Sequence, residues 1–329
     1  MFPKFDLYFT ANIIKIDYQN EIFMRKFFLI VTVIILNYNL ASAQEVFRFL
    51  NLHPSPRSAA LAGSYVAVND DPNVMFYNPA GIYAGLSDQI SFSYLSHLAD
   101  INSASMSYVK EYENIGSFAF GVQYIGYGDM KRADQFGNVT GSFSANDMAF
   151  TLSYSNQLDN NFNYGVSTKF IYSGIADVSS TGLAFDFGLQ YLWVEQNWRF
   201  GFSAMNIGSQ LTSYFDKKEN LPVDIKFGVS KKLQHMPFEF FFSLNRLNDQ
   251  KERFKNITFG GEFKLSEVIK LRIGYDAQTR KELKLGTTTG LAGFNFGAGI
   301  KIKNYFFDYG FSSYGLIGGL HRIGISTKI

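Results

Sequence analysis

From Gln89 to the C-terminus the chain alternates large apolar residues with small or polar ones, and a period of two is the period of a strand. Phe118, Phe120, Val122 and Tyr124 alternate with Ser117, Ala119, Gly121 and Gln123, and Leu183, Phe185, Phe187, Leu189 and Tyr191 with Ala184, Asp186, Gly188 and Gln190. Val223, Ile225, Phe227 and Val229 stand against Asp224, Lys226, Gly228 and Ser230, and Ile269, Leu271, Ile273 and Tyr275 against Lys270, Arg272, Gly274 and Asp276. A soluble sandwich or lipocalin-like barrel also alternates, but its water-facing side is normally rich in Lys, Glu and Thr. Here the second face is mostly Gly, Ser, Ala, Asn and Gln, which suits a crowded polar lumen with lipid on the other side. In a bilayer every strand amide needs a partner, and only a closed barrel provides one without leaving an edge. The expected fold is therefore an all-β, 14-stranded antiparallel transmembrane barrel.

Fourteen alternating segments are expected near 89–97, 102–112, 115–127, 146–156, 161–173, 180–193, 197–207, 222–233, 237–247, 255–265, 268–278, 291–302, 304–313 and 319–329. If both barrel termini are periplasmic, the even-numbered strands lead into short turns and the odd-numbered ones into longer outer loops. The junctions sort largely that way. EYENIG, NQLDNN, VEQN, QHMP, SE and KN are tight, whereas 129–145, 208–221, 247–254 and 279–290 are long; the first and last outer loops are short. Trp193 and Trp198 flank one tight turn, where an interfacial aromatic belt or plain packing would hold them. The last strand, HRIGISTKI, resembles a C-terminal outer-membrane assembly signal but ends in Ile329 where an aromatic is usual.

Composition agrees: 17% aromatic residues and 29 glycines favour sheet over helix. A net charge of +2 without a basic run argues against a nucleic-acid partner. The absence of cysteine excludes disulfides, a thiol nucleophile and Cys metal sites. Ahead of the strands, Met24-Arg25-Lys26, the apolar run Phe27 to Leu36 and Ala41-Ser42-Ala43 make up an export signal over 24–43. Residues 1–23 are then read as an over-extended gene start, with Met24 the preferred first residue.

Between signal and barrel, residues 44–87 are expected to form an N-terminal plug, or hatch, ahead of the barrel at 88–329. Within it, Asn69 to Gly81 reads NDDPNVMFYNPAG. Asp71 can cap a helical turn beginning at Pro72, because Pro has no N–H to leave unpaired and a pre-set φ. Asn78, Pro79 and Ala80 then enforce a turn, with Gly81 expected to tolerate a positive φ.

No catalytic constellation emerges. His53, His97, His235 and His321 lack metal-ligand spacing. Gly297-Ala298-Gly299 lacks the third glycine of a dinucleotide site, and Gly201 to Met205 lacks the second glycine of a nucleophile elbow. Asp186, Asp224, Glu239 and Asp308 project, by alternation, into the lumen beside Lys226, Lys270 and Arg272, where a mixed charge ladder is more often structural than catalytic. No enzymatic activity and no cofactor are expected.

These features together resemble the FadL-type outer-membrane barrels, whose hatch carries a stretch A-x-x-x-D-x-x-x-x-x-x-N-P-A; here Ala67, Asp71, Asn78, Pro79 and Ala80 match it. More narrowly, residues 44–329 resemble the PorV/PorQ group of the type IX secretion system, PorQ in particular. The resemblance is carried by FRFLNLHPSPRSAALAGSYVAVNDDPNVMFYNPA, YIGYGDMKRADQFGNVTGSFSANDMAF, TKFIYSGIADVSSTGLAFDFGL and TSYFDKKENLP. It implies an integral outer-membrane protein that works with a PorV-like barrel, a PorU-like sortase and a PorZ-like surface protein to attach secreted cargo. Lys131, Arg132 and Asp134, with Asp216, Lys217 and Lys218, would then lie on the surface that docks the PorZ-like partner. The alternative, implied by other FadL relatives, is a passive channel for hydrophobic molecules.

Overall fold

The computed structural model describes residues 45–83, 85–97, 100–249, 254–284 and 290–329; the expected export signal, residues 1–23 and parts of the expected loops 247–254 and 279–290 lie outside them. Fourteen strands form one closed antiparallel barrel in which each pairs with its sequence neighbours. They are β1 (Gln89–Ser96), β2 (Asn102–Tyr112), β3 (Gly116–Ala133), β4 (Val139–Asp159), β5 (Phe162–Ile175), β6 (Val178–Trp193) and β7 (Trp198–Thr212). β8 (Asp224–Lys232), β9 (Phe238–Leu244), β10 (Ile257–Lys264), β11 (Ile269–Asp276), β12 (Phe294–Ile302), β13 (Tyr305–Ser313) and β14 (Gly319–Lys328) complete the wall. Closure is between β1 and β14, with Phe92 opposite Ile325 and Tyr94 opposite Ile323.

The two faces divide as the alternation requires. Phe118, Phe185, Phe187, Leu271 and Ile273 lie on the exposed outer face, whereas Ser91, Ser107, Ser117, Thr151, Ser155, Ser203 and Ser230 are buried inside. No helix among the described residues is long and apolar enough to cross a membrane. β8 to β14 have 7 to 10 residues each, close to the ~9–11 that a tilted strand needs to span the hydrocarbon. Trp193 and Trp198 face one another across the turn of β6 and β7, and Trp198 carries the Lys231 ammonium 4.8 Å above its ring.

The outer loops differ from expectation in three places. Residues 129–145 are mostly strand: β3 and β4 run past the rim as a two-stranded ribbon, and only a tight tip remains. Asp134 closes that tip by accepting from the N–H groups of Phe136 and Asn138, both at 2.9 Å. In 208–221, β7 continues to Thr212 after a bulge, where Phe185 pairs with Ile207 but Phe187 with Ala204. There Asn206 adopts a φ of 60°, and its N–H donates to Asp186 Oδ1 at 2.8 Å. In 279–290, the helix Ala277–Glu282 replaces the first part of the loop, capped by Asp276 through the N–H groups of Gln278 and Thr279.

Residues 45–88 thread the lumen. Glu45 bridges Asn220 at the long-loop end, where Val46 N–H donates to Asn220 O at 3.0 Å. Phe47, Phe49 and Leu50 then pack on Ile125, Ala149, Ile171, Ala184 and Leu221. Deeper, Leu61, Tyr65, Val74, Met75, Tyr77 and Ile82 form a second core against Val109, Ala119 and Phe241 of the wall. The segment leaves at the short-turn end, Asp88 N–H reaching Val109 O at 2.8 Å, and continues into β1. A chain that enters at one end and leaves at the other fills the barrel along its axis.

Candidate functional site

The seat of this lumenal segment is built from short capped turns. Asp71 is extended (φ −148°) and its carboxylate accepts from the Asn73 N–H at 2.8 Å, starting the 3-10 turn Pro72–Phe76. The same carboxylate accepts from Tyr65 Oη at 2.6 Å. Asn78 (φ −158°) starts a second turn, Pro79–Ile82, accepting from the Ala80 N–H at 3.1 Å while its Nδ2 donates to Val66 O and Leu189 O. One side chain thus ties two turns of the segment to the wall. Gly81 departs from expectation: it lies inside that turn and has no positive φ. It is glycine for space, since a Cβ would sit 2.6 Å from Val68 O and 2.6 Å from Val74 Cγ2.

Space also explains the wall. The glycines of the second face form a belt on which the segment rests: Gly165 and Gly188 pair across β5 and β6, Gly201 and Gly228 across β7 and β8, and Gly297 and Gly310 across β12 and β13. A Cβ on Gly165 would lie 2.4 Å from the Pro79 carbonyl carbon, on Gly201 2.2 Å from Val66 O, and on Gly310 2.6 Å from Pro56 O. Wall and segment meet backbone to backbone.

The lumenal charges complete the seat. Asp224 meets Lys226 at 3.1 Å and Asp308 meets Arg272 at 2.5 Å, as alternation suggested; Asp186 pairs instead with Lys169 at 3.0 Å and Glu239 with Arg199. The hub is a residue sequence reasoning missed, Glu262 on β10. It receives Arg272 at 2.7 Å and Lys270 at 3.2 Å from the wall and Arg57 at 2.9 Å from the segment. Arg57, also missed, sits in the short helix Pro56–Ala60 and reaches Asp70 at 2.8 Å. Burial pulls the Arg57 pKa down, but Asp70 and Glu262 hold it above the usual arginine range. The only signal in the sequence was a lone arginine in a run of small residues.

The histidines stay apart: His97 bonds Ser103 at the rim, His321 bonds Tyr309 on the outer face, and His53 bonds Tyr77 Oη at 2.9 Å in the lumen. Burial, reinforced by Arg322 and Lys226, pushes the His53 pKa down to about 3. Tyr77, Arg322 and Lys226 are the titratable groups around it. A histidine with a lowered folded pKa binds fewer protons folded than unfolded, so its contribution is complete above pH ~6.5 and is lost as pH falls toward 3. Protease protection of residues 53–87 should therefore weaken on acidification from pH 7 to pH 4. His53→Gln should flatten that dependence, and an unchanged pH profile in the variant would refute the assignment.

The residues expected to dock a partner all lie at the long-loop end. Lys131 and Arg132 are on the β3 ribbon, with Arg132 paired to Asp177 at 2.9 Å, and Asp134 closes the tip. Asp216, Lys217 and Lys218 are exposed between β7 and β8, and the two lysines line a groove of about 800 Å³ that also takes in Tyr127, Tyr214 and Phe215.

No protein-family model and no curated protein matches the sequence. Solved structures do match the fold. The toluene transporter TbuX of Ralstonia pickettii superposes with a TM-score of 0.55 at 13% identity over 85% of this chain and 99% of its own. The CymD monoaromatic hydrocarbon channel gives 0.56 at 12% identity over 84% and 97%. A Pseudomonas aeruginosa FadL homologue gives 0.52 at 10% identity over 83% and 98%. With its closed wall of fourteen strands and few helices, the chain has the fold of the FadL-like outer-membrane β-barrels.

Proposed function

We propose that the protein is a non-enzymatic outer-membrane component of the type IX secretion system, a plugged barrel that anchors a PorZ-like surface protein beside a PorV-like barrel and a PorU-like sortase. The observation that carries this reading is the one-sided rim. β3 to β7 have 14 to 21 residues each, about twice the length of strands on the opposite wall. Beyond Gly126, β3 has lost β2, and β4 gains β5 only at Ala145, so the ribbon between pairs only with itself. A two-stranded ribbon is marginally stable in water, and this one carries Phe136, 80% exposed, at its tip, with Phe215, 79% exposed, on the neighbouring loop. Exposed aromatics flanked by Lys131, Arg132, Lys217 and Lys218 are suited to holding a protein. A segment threaded through the lumen, residues 45–88, acts as the hatch.

A tagged barrel with 208–221 scrambled, or with 130–142 replaced by Asn-Gly, should lose capture of a PorZ-like partner while remaining a heat-modifiable barrel. A deletion strain should lose cargo from its outer-membrane fraction. Undiminished capture by both variants would end this reading. The second reading, a channel for hydrophobic molecules, is supported by the fold shared with hydrocarbon channels and by the β7 bulge beside the buried Lys169–Asp186 pair. Loss of growth on a hydrocarbon or fatty acid after deletion, with cargo attachment intact, would favour it.

A further inference from the structure

We propose that the chamber between the lumenal segment and the long-loop rim is a binding site for a small hydrophilic oxyanion, a carboxylate or a phosphate, held by Arg322. The chamber measures about 230 Å³; His53, Tyr77, Lys226, Thr258, Tyr314 and Arg322 line it. Its floor is the hatch seat and its lip is formed by the outer ends of the strands.

Arg322 is a buried charge without an acid. Arg57, Arg199 and Arg272 each meet a carboxylate, but Arg322, only 2% exposed, takes part in no ion pair among the described residues. Its Nη1 donates to Ser312 Oγ at 2.9 Å and its Nε has no hydrogen-bond partner. A buried guanidinium without a counter-ion is costly, and Arg322, lining the polar chamber beside Tyr314, can offer its fork to an oxyanion.

The chamber's own acids are engaged elsewhere. Asp224 holds Lys226 at 3.1 Å and the Arg246 N–H at 2.7 Å; Asp276 caps the helix Ala277–Glu282 and takes Thr279 Oγ1 at 2.7 Å; Glu282 accepts from Gln278. Lys226 and a neutral His53 extend the positive and hydrogen-bonding surface around the guanidinium. The lining is polar except for Leu52, Ala62 and Gly63, so the chamber suits a small hydrophilic ligand and not an acyl chain.

The test uses the purified full chain in detergent and phosphate-free buffer, melted with added inorganic phosphate, citrate or decanoate at matched ionic strength. Phosphate or citrate should raise the melting temperature in a saturable way, the more effective of the two identifying the group. Arg322→Met should melt higher than the parent without anion, because a lone buried charge is gone, and should show no anion response. Arg322→Lys, which keeps the charge but loses the fork, should bind about tenfold more weakly. No response in the parent, or an equal response in Arg322→Met, overturns the site, and stabilisation by decanoate alone overturns the hydrophilic ligand.

Discussion

A barrel carrying valine at both Gly165 and Gly188 should conduct ions where the parent stays closed. These glycines face each other across β5 and β6, and the Asn78-Pro79-Ala80 turn rests on both. A Cβ on Gly165 would fall 2.5 Å from Ala80 N, and one on Gly188 2.8 Å from Pro79 Cδ. Neither surface can retreat: the wall is held in a closed ladder, and the turn is held by Asn78, whose donors are spent on Val66 and Leu189. Overpacking costs typically 1–3 kcal/mol per site. Two sites together shift seating by about 4 kcal/mol, roughly a thousandfold in the closed-to-open ratio. Planar-bilayer conductance and protease cleavage within 53–87 read this directly, with outward-facing Thr168→Val as the control. A double variant as tight and as protease-resistant as the control would show that the segment does not depend on the belt.

Glu262→Gln should be the most damaging single change to the lumenal charges. It removes the one carboxylate on which Arg57, Lys270 and Arg272 converge within 3.2 Å, taking the acid from Lys270 and leaving Arg57 and Arg272 to Asp70 and Asp308. Losing one partner of a buried ionic cluster costs about 3–5 kcal/mol. Arg57→Met should cost clearly less, because Glu262 keeps Arg272 and Lys270 while Asp70, exposed in the lumen, can be solvated. Urea unfolding in detergent, followed by loss of the heat-modifiable band, would rank the two, and the reverse order would mean that Glu262 is not the hub.

Reading the strands from the sequence succeeded because a closed barrel with an apolar exterior admits so few solutions. A one-residue slip would turn every polar side chain of a strand from the lumen to the apolar outer face, so alternation ties each segment to a face and, through closure, to its neighbours. The caps at Asp71 and Asn78 were legible for a similar reason, since each bonds backbone two residues on. The β3–β4 ribbon was misjudged as a loop because beyond the barrel rim the alternation fades: Val139 to Ser142 are exposed on both faces.

The lumenal site was not legible in the same way. Arg57 and Glu262 are 205 residues apart, and nothing local to either marks the other as its partner. Gly81 shows the limit plainly, for its neighbours in sequence suggest a turn needing positive φ, whereas Val68 and Val74 folded against it leave no room for a side chain. Chain order and the period-two pattern by themselves determined a closed fourteen-stranded wall with an apolar exterior, because pairing and alternation are local. Which lumenal charges meet, which glycines carry the plug and which arginine is left without an acid were decided only when the N-terminal segment was threaded through that wall, because those contacts depend on distances in space that the order of residues does not encode.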